Sequence, residues 1–322
     1  MQAEHLRILG PELSLPLDQP FTRSTALTAG VRDKQLGALV AAGCLRRPIP
    51  GVYVASQLPD SIALRAGILA LVVPAGSFVC DRTAAWLHGA PMALAPNEHL
   101  TVPPVSCFRP ADGGRLRNGL STSGERTVTP EDLMQLNGVL VTTPLRTALD
   151  LGRLQRTRDL ALGGMDAMLR LGRFPHDELL EAVPRFRRQR GVRQLESLAP
   201  LADGRAQSLG ESALRRRWID AGLPRPELQI PIFENGRVIF WLDMGLVEWL
   251  FAAEYDGVAW HSSPEQVAAD NARRGWLDEQ RRWAIEVFRK EHLWGLRQDA
   301  DLRLMAAFRQ ARATFASRTF II

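Results

Sequence analysis

The sequence has few cysteines and almost no lysine. Cys44, Cys80 and Cys107 are the only cysteines among 322 residues, and no two of them form a CxxC pair. Their odd number and wide spacing argue against a disulfide framework and against a cysteine zinc site. Lys34 and Lys290 are the only lysines. We therefore expect the cysteines to be small buried side chains, and arginine carries nearly all of the positive charge.

Long apolar runs, a secretory signal and nucleotide-binding motifs are also missing. No apolar run reaches the roughly 18 residues that a membrane-spanning helix needs. The N-terminus lacks a basic start followed by a long apolar core. Neither GxxxxGK(S/T) nor GxGxxG occurs. The sequence predicts a cytoplasmic protein with no membrane partner, and neither a nucleotide-driven motor nor a dinucleotide enzyme.

The charge of the chain is basic overall. The formal net charge is +5 and the pI is about 9.7. Arginine suits bidentate contacts with phosphate and guanine, although an arginine bias also arises from a GC-rich genome. The charge supports nucleic-acid binding without proving it.

Residues 21–60, which follow a proline-containing leader at 1–20, predict a helix, a turn, a second helix and a hairpin. Gly30 separates the two helices, and Gly43 ends the second. This order is the outline of a winged helix-turn-helix, whose second helix enters the major groove of DNA. The predicted elements are a helix at Thr22–Ala29, a helix capped by Asp33, and two strands within Leu45–Val54 that meet at a Pro50–Gly51 turn.

Five residues of this region are candidate contacts to double-stranded DNA. Arg32, Lys34 and Gln35 lie at the N-terminal end of the second helix, where base contacts are usually made. Arg46 and Arg47 begin the wing, from which they would reach phosphate. The alternative is a small helical domain with a solvated basic face.

Residues 61–200 predict an α+β region. Two helices flank a short apolar segment at its start, and an amphipathic helix followed by two more helices closes it. The predicted elements are helices at 62–72, 145–154, 159–171 and 177–184, a helix ending at D-R-T-A-A-W-L-H-G, a short apolar segment at Ser77–Cys80, and strands at His99–Val102 and Thr127–Thr129.

Three motifs in this half of the chain carry a resemblance to a known family. They are G-C-L-R-R-P-I-P-G-V-Y-V (43–54), D-R-T-A-A-W-L-H-G-A-P (81–91) and V-T-T-P-L-R-T-A-L-D-L (141–151). Through them, about residues 15–200 resemble the AbiEi-type antitoxin domains of type IV toxin–antitoxin systems. The resemblance implies a winged-helix protein that represses its own promoter and has a cognate toxin.

An arginine run at 185–194, R-F-R-R-Q-R-G-V-R-Q, precedes the predicted domain boundary at 202–207. It is either a solvated helix face or linker, or a segment that contacts phosphate.

Residues 205–322 predict an α/β domain with a mixed central sheet in the order αβββαβ. Ser208 and Glu211 form a capping box at the start of its first helix. The predicted elements are helices at 208–222, 264–280 and 299–315, and strands at Leu228–Phe233, Arg237–Met244, Val247–Tyr255 and Trp283–Phe288.

The apolar stretch Val238–Ser262 carries acids that a buried strand should lack. Acidic side chains are rarely buried unless they are paired or bind a metal. Alternation along a strand places Glu254 and Asp256 on one face, and a turn near Gly245 would bring Asp243 alongside. Like charges at this spacing repel one another, so the cluster predicts a cation, with Mg²⁺ or Mn²⁺ favoured by oxygen ligands.

Six motifs in this domain resemble those of the PD-(D/E)XK nucleases, closest to the branch of the very-short-patch-repair endonucleases. They are S-L-G-E-S-A-L-R-R-R-W (208–218), Q-I-P-I (229–232), L-D-M-G (242–245), A-E-Y-D-G-V-A-W-H (253–261), D-N-A-R (270–273) and W-A-I-E-V-F (283–288). The resemblance implies a magnesium-dependent endonuclease. It assigns Glu211, Asp243 and Glu254 to the metal, and Asp243, Glu254, Asp256 and His261 to catalysis.

One departure from this pattern divides the hypotheses. The lysine of the family's E-x-K motif is Asp256 here, and Lys290 lies just beyond the last strand of the sheet. The main hypothesis is a DNA-binding protein with a magnesium-dependent endonuclease domain. The alternative is a non-enzymatic antitoxin and autorepressor whose nuclease-like fold is catalytically inactive.

Overall fold

The computed structural model gives a mixed α and β protein with three sheets. The chain divides into two compact units, unit 1 (residues 1–151 and 173–182) and unit 2 (residues 152–172 and 183–322). No helix in the described part of the chain has the length and apolar character needed to cross a membrane. The described residues are 9–10, 13–90, 105–110, 121–122, 125–257, 273, 275–277, 279, 281–295 and 297–319.

Unit 1 begins with a three-stranded sheet and two helices. Its elements are β1 (Phe21–Thr22), α1 (Arg23–Thr28), α2 (Asp33–Ala41), β2 (Leu45–Ile49) and β3 (Val52–Ala55), with sheet order β1-β3-β2. Gly30 and Gly51 have φ of +83° and +82°, which suits the two turns that they occupy. Phe21 stacks on Tyr53 in the core, with ring centroids 5.9 Å apart. The predicted order of two helices and a hairpin is therefore observed.

The N-terminus of α2 differs from the prediction. Arg32, and not Asp33, is the residue that precedes the helix. Gln35 Oε1 accepts a hydrogen bond from Arg32 N at 2.8 Å, which caps the first turn. Asp33 is the first helical residue, where an acid suits the helix dipole, and it accepts from Arg23 Nε at 2.7 Å.

A six-stranded mixed sheet and two helices form the next part of unit 1. Its elements are α3 (Ile62–Ala70), β4 (Phe78–Val79), α4 (Asp81–Leu87), β5 (Val105–Pro110), β6 (Ser121–Thr122), β7 (Glu125–Arg126), β8 (Leu133–Leu136) and β9 (Val139–Thr142). The strand order is β6-β5-β4-β9-β8, and β7 pairs with β5. Phe78, Val79 and Val141 are fully buried in its core, and the three cysteines of the chain are buried as expected.

The strand predicted at Thr127–Thr129 is wrong. This segment has no ladder partner, because the Thr127 carbonyl accepts from Arg146 Nη2 at 3.0 Å and Thr129 N donates to Asp132 Oδ2 at 3.1 Å. The β8–β9 hairpin, in contrast, is present in the structure but was not predicted. The strand predicted at His99–Val102 lies outside the described residues.

Four helices follow the sheet; the first three agree closely with the predicted helices, and the fourth was not predicted. They are α5 (Pro144–Leu154), α6 (Arg158–Arg170), α7 (His176–Ala182) and α8 (Val192–Leu198). Residues of α7 belong to unit 1, whereas α6 and α8 belong to unit 2. The predicted division of the chain at 202–207 stays a prediction, since compact packing units need not coincide with functional domains.

The remainder of unit 2 contains a four-stranded mixed sheet. Its elements are α9 (Leu209–Asp220), β10 (Glu227–Glu234), β11 (Arg237–Leu246), β12 (Phe251–Tyr255), β13 (Ala284–Phe288), α10 (Lys290–Leu293) and α11 (Ala300–Thr319). The order is β10-β11-β12-β13, with only the β12–β13 pair parallel. The described residues between 273 and 281 are helical. The element order up to β13 thus agrees with the predicted αβββαβ.

The turn between β11 and β12 lies later than predicted. Gly245 is paired within the ladder, opposite Ala252. The chain turns instead through a 3₁₀ segment at Val247–Trp249, followed by Leu250 with φ of +48°. The third strand therefore begins at Phe251 and not at Val247.

Candidate functional site

Helix α2 presents a polar surface near its N-terminus. Leu36 is its one buried residue, and Arg32, Lys34 and Gln35 are exposed. Gln35 also caps the helix through its side-chain oxygen. Of the three predicted base-contacting residues, Arg32 and Lys34 therefore extend most directly into solvent.

Gly37 is an exposed glycine in the interior of α2. A Cβ built at this position has no heavy atom within 4 Å, so packing does not require glycine. Glycine in a helix interior costs about 1 kcal/mol relative to alanine. A glycine that packing does not explain suits a surface where a partner approaches the helix backbone closely.

The strand β2 carries the two arginines predicted for the wing. Arg46 and Arg47 are both exposed. Arg46 Nη2 donates to the carbonyl of Leu58 at 2.7 Å, which holds the strand to the segment after β3. Arg46 therefore has a structural role as well, whereas Arg47 is exposed on the same strand.

The antitoxin-like motifs of unit 1 contribute buried ion pairs. Arg146, only 3% exposed, donates to Asp132 Oδ2 at 2.6 Å and to Asp150 Oδ2 at 2.9 Å. Arg126 donates to Asp81 Oδ1 at 2.6 Å and to Asp150 Oδ2 at 3.2 Å. Buried charges are tolerated when they are paired in this way. These motif residues therefore hold the fold of the domain.

A cluster of carboxylates in unit 2 begins at the N-terminus of α9. Ser208 Oγ accepts from Glu211 N at 3.1 Å, which is one of the two hydrogen bonds of the predicted capping box. The Glu211 carboxylate is buried and accepts from Gln207 N at 2.7 Å and from Gln229 Nε2 at 3.2 Å. Burial raises the pKa of Glu211.

Asp243 and Glu254 join Glu211 from adjacent strands. The β11–β12 register pairs Met244 with Ala253, so Asp243 and Glu254 lie next along the two strands. Asp243 Oδ2 accepts from Tyr255 N at 2.8 Å. Burial raises the pKa of Asp243 to about 7, and the negative charges of Glu211 and Glu254 contribute to this rise. The structure therefore brings the three predicted metal ligands together.

Arg273 supplies a positive charge to this cluster. Its Nη2 donates to Glu254 Oε2 at 2.9 Å, and its charge lowers the pKa of Asp243. Among the described residues, no group of three or more His, Cys, Asp or Glu side chains is arranged to hold a metal ion. The guanidinium group thus offsets the carboxylate charge that led us to predict a metal. Asp270, three residues before Arg273 in the sequence and another acid with which it could pair, lies outside the described residues.

Asp256, another of the predicted catalytic residues, pairs with a different arginine. Asp256 follows β12; its N donates to the carbonyl of Phe288 at 2.7 Å, and its carboxylate accepts from Arg289 Nε at 3.3 Å. An arginine next to β13 therefore stands beside the acid that replaces the family lysine. Lys290 begins α10. His261 lies outside the described residues.

Helix α9, which carries Glu211, is anchored to α6 by buried charges. Asp166 accepts from Ser212 Oγ at 2.6 Å and from Arg215 Nη2. Asp159 accepts from Arg216 Nε and, at 2.8 Å, from Trp294 Nε1. The position of Glu211 therefore depends on residues that precede the predicted domain boundary.

Comparison with known proteins identifies the central part of the chain. Residues 77–201 match the AbiEi antitoxin C-terminal domain, which confirms the AbiEi-type resemblance over that range. The chain is similar to "Uncharacterized protein MT2308" of Mycobacterium tuberculosis (strain CDC 1551 / Oshkosh) and "Uncharacterized protein Rv2248" of Mycobacterium tuberculosis (strain ATCC 25618 / H37Rv). Each is 35% identical over 246 residues, which cover 76% of this chain and 86% of the relative.

A solved structure, the crystal structure of RV2827C protein from Mycobacterium tuberculosis, is more distantly similar. It is 16% identical with a TM-score of 0.33, and the match covers 58% of this chain and 74% of that chain. A similarity at this level does not establish the fold. None of the comparisons supports the predicted PD-(D/E)XK resemblance of residues 205–322. The chain belongs to the family of the two mycobacterial relatives, and its residues 77–201 match the AbiEi antitoxin C-terminal domain.

Proposed function

We propose that this protein is a DNA-binding antitoxin that represses its own promoter. The observation that carries the proposal is the pair of helices and hairpin at 21–55 directly before an AbiEi antitoxin domain. Helix-turn-helix proteins place the second helix in the major groove and use flanking residues on the phosphates. Helix α2 and strand β2 have the side chains for both tasks.

The surface of α2 supports this proposal in three ways. Arg32 and Lys34 are exposed at its N-terminal end, where base edges would be reached. Gly37 leaves the helix backbone open on an exposed position. Arg47 extends from the wing towards solvent. The proposal also agrees with the predicted cytoplasmic location, because bacterial promoter DNA is in that compartment.

A promoter-binding experiment tests the DNA contact. Arg32→Ala combined with Lys34→Ala should weaken binding to the protein's own promoter duplex by at least about tenfold and should reduce the slope of log K against log salt by up to about 2. Arg225→Ala combined with Arg237→Ala is the matched control, because both arginines are exposed and lie in unit 2. An unchanged salt slope in the α2 variant would place the contact surface elsewhere.

The antitoxin proposal implies a cognate toxin. Expression of the intact protein should restore growth to cells that produce the toxin encoded beside it, and expression of an empty vector should not. Failure of this rescue, together with intact promoter repression, would leave the protein as a repressor alone.

Phosphodiester hydrolysis at the acidic cluster is the second candidate function. The raised pKa of Asp243, about 7, favours this function, because a bound cation would stabilise the charged form of the carboxylate. Glu211, Asp243 and Glu254 carry the type of oxygen donor that Mg²⁺ or Mn²⁺ prefers, and such an ion would supply charge neutralisation and an acidified water. Asp256 and His261 remain the other proposed catalytic residues. Arg273, which already pairs with Glu254, favours the non-enzymatic alternative.

A cleavage assay decides between these functions. Plasmid, single-stranded DNA and RNA are incubated with the protein and Mg²⁺ or Mn²⁺, beside a Glu254→Ala/Asp256→Ala variant. We expect promoter binding and no cleavage. Metal-dependent cleavage that the variant lacks would instead establish the nuclease.

A further inference from the structure

The segment 185–193, named here the arginine loop, runs from the end of a 3₁₀ turn into the first residues of α8 and concentrates the positive charge of the chain. Its sequence R-F-R-R-Q-R-G-V-R contains five arginines and no acid. The formal net charge of the whole protein is +5. The arginine loop therefore accounts for the entire excess of positive charge, and the rest of the chain is balanced.

Arg153 holds the backbone of the arginine loop in place through contacts with Phe186 and Arg190. The Arg153 guanidinium lies over the ring of Phe186, 4.7 Å from its centroid, and its Nη1 donates to the carbonyl of Arg190 at 3.0 Å. Gly191 has φ of +79°, and a Cβ at this position would clash with the Arg153 carbonyl. The loop thus packs directly against the end of α5, which holds its path.

The loop directs its arginines outwards. Arg187, Arg188, Arg190 and Arg193 are all exposed, and no ion pair is found for these four within the described part of the chain. Arg215 and Arg216 of unit 2, in contrast, are buried against aspartates. A fixed backbone with four exposed guanidinium groups is arranged to meet an external anion.

We propose that the arginine loop binds the phosphate backbone of duplex DNA without reading its sequence. Guanidinium groups form bidentate hydrogen bonds with phosphate. Protein interfaces, by contrast, centre on apolar and aromatic side chains, and Phe186, the aromatic residue of the loop, is only 2% exposed. The inference rests on the proposed function, to which it adds a contact surface in unit 2.

Salt-dependent binding tests the proposal. Four substitutions, Arg187→Gln, Arg188→Gln, Arg190→Gln and Arg193→Gln, are combined, and the control combines Arg225→Gln, Arg237→Gln, Arg297→Gln and Arg309→Gln at exposed positions elsewhere in unit 2. Both proteins are titrated with the promoter duplex and with a scrambled duplex by fluorescence anisotropy, from about 50 to 200 mM salt. Thermal unfolding checks that both variants fold.

The loop variant should bind both duplexes more weakly. If all four arginines contact phosphate, the slope of log K against log salt falls by about 3 to 4, and affinity for the scrambled duplex falls at least about 100-fold. The control variant should change the slope by less than about 1. Equal losses of affinity and of salt slope in both variants would show that the effect depends on net charge alone, and would overturn the proposal.

Two further outcomes separate this inference from the proposed function. If the wild-type protein does not prefer its promoter to the scrambled duplex, yet the loop variant still loses the salt slope, the operator proposal fails and the arginine loop stands. If DNA binding is unchanged in a folded loop variant, the loop is not a DNA surface. A loop variant that loses only its binding to the toxin protein would overturn the proposal as well.

Discussion

Replacement of Asp243 by asparagine should stabilise the protein above neutral pH. The pKa of Asp243 is raised from 3.8 to about 7 in the folded protein, chiefly by burial. A raised pKa means that the folded state binds the proton more tightly, so the stability that this proton contributes is lost as pH rises from the unfolded pKa of 3.8 to about 7. At about 1.4 kcal/mol for each pH unit, the loss reaches at most about 4 kcal/mol.

Asparagine removes this pH-dependent loss while preserving the local geometry. Its side-chain oxygen can still accept the hydrogen bond that Tyr255 N donates to Asp243. The free energy of unfolding of the Asp243→Asn variant should therefore equal that of the wild type near about pH 4 and exceed it by about 2 to 4 kcal/mol at about pH 8. Glu227→Gln, at an exposed carboxylate on β10, is the control and should show no such divergence.

Urea unfolding monitored by tryptophan fluorescence measures this difference at several pH values. A difference that does not grow with pH, or a variant less stable than the wild type at about pH 8, would refute the burial argument. Addition of Mg²⁺ at the same pH then separates the candidate functions. Stabilisation of the wild type but not of the variant would show a carboxylate metal site, whereas no effect on either supports the non-enzymatic proposal.

Two other substitutions test the helices. Asp166→Ala should lower the free energy of unfolding by about 3 to 5 kcal/mol, because it leaves Arg215 buried without its acid; a loss below about 1 kcal/mol in urea would show that the α6–α9 ion pair is dispensable. Gly37→Ala should raise the free energy of unfolding by about 0.5 to 1 kcal/mol, because no neighbouring atom opposes the added Cβ. The same substitution should weaken promoter binding in the anisotropy assay. Tighter promoter binding by this variant would contradict close approach of DNA to α2.

Local signals in the sequence located most of the elements but not all of their ends. The Pro50–Gly51 turn located the first hairpin, and the amphipathic pattern located α5, because both signals depend on neighbouring residues. The β8–β9 hairpin was missed although Asn137 and Gly138 have φ of +47° and +81°, values that an Asn-Gly hairpin turn requires. Attention to that dipeptide would have found it.

The candidate site was harder to predict where it depends on distant residues. The acids of β11 and β12 could be paired from alternation and a turn, even though the turn proved to lie at 247–250. The pair between Arg273 and Glu254 joins residues 19 apart in the chain, and nothing local indicates it. The Mg²⁺ site stays a prediction, and the guanidinium group that pairs with Glu254 could not be foreseen from the local pattern of the sequence.

The buried ion pairs between α6 and α9 also determine when unit 2 can pack as the chain is synthesised. Asp166 leaves the ribosome 49 residues before Arg215, and Asp159 leaves it 57 residues before Arg216 and 135 before Trp294. Until those partners emerge, α6 carries two acids that resist burial, so the packing of unit 2 waits for residues well beyond 201. A chain released before Arg215 and Arg216 emerge would keep this helix solvated and accessible to proteases.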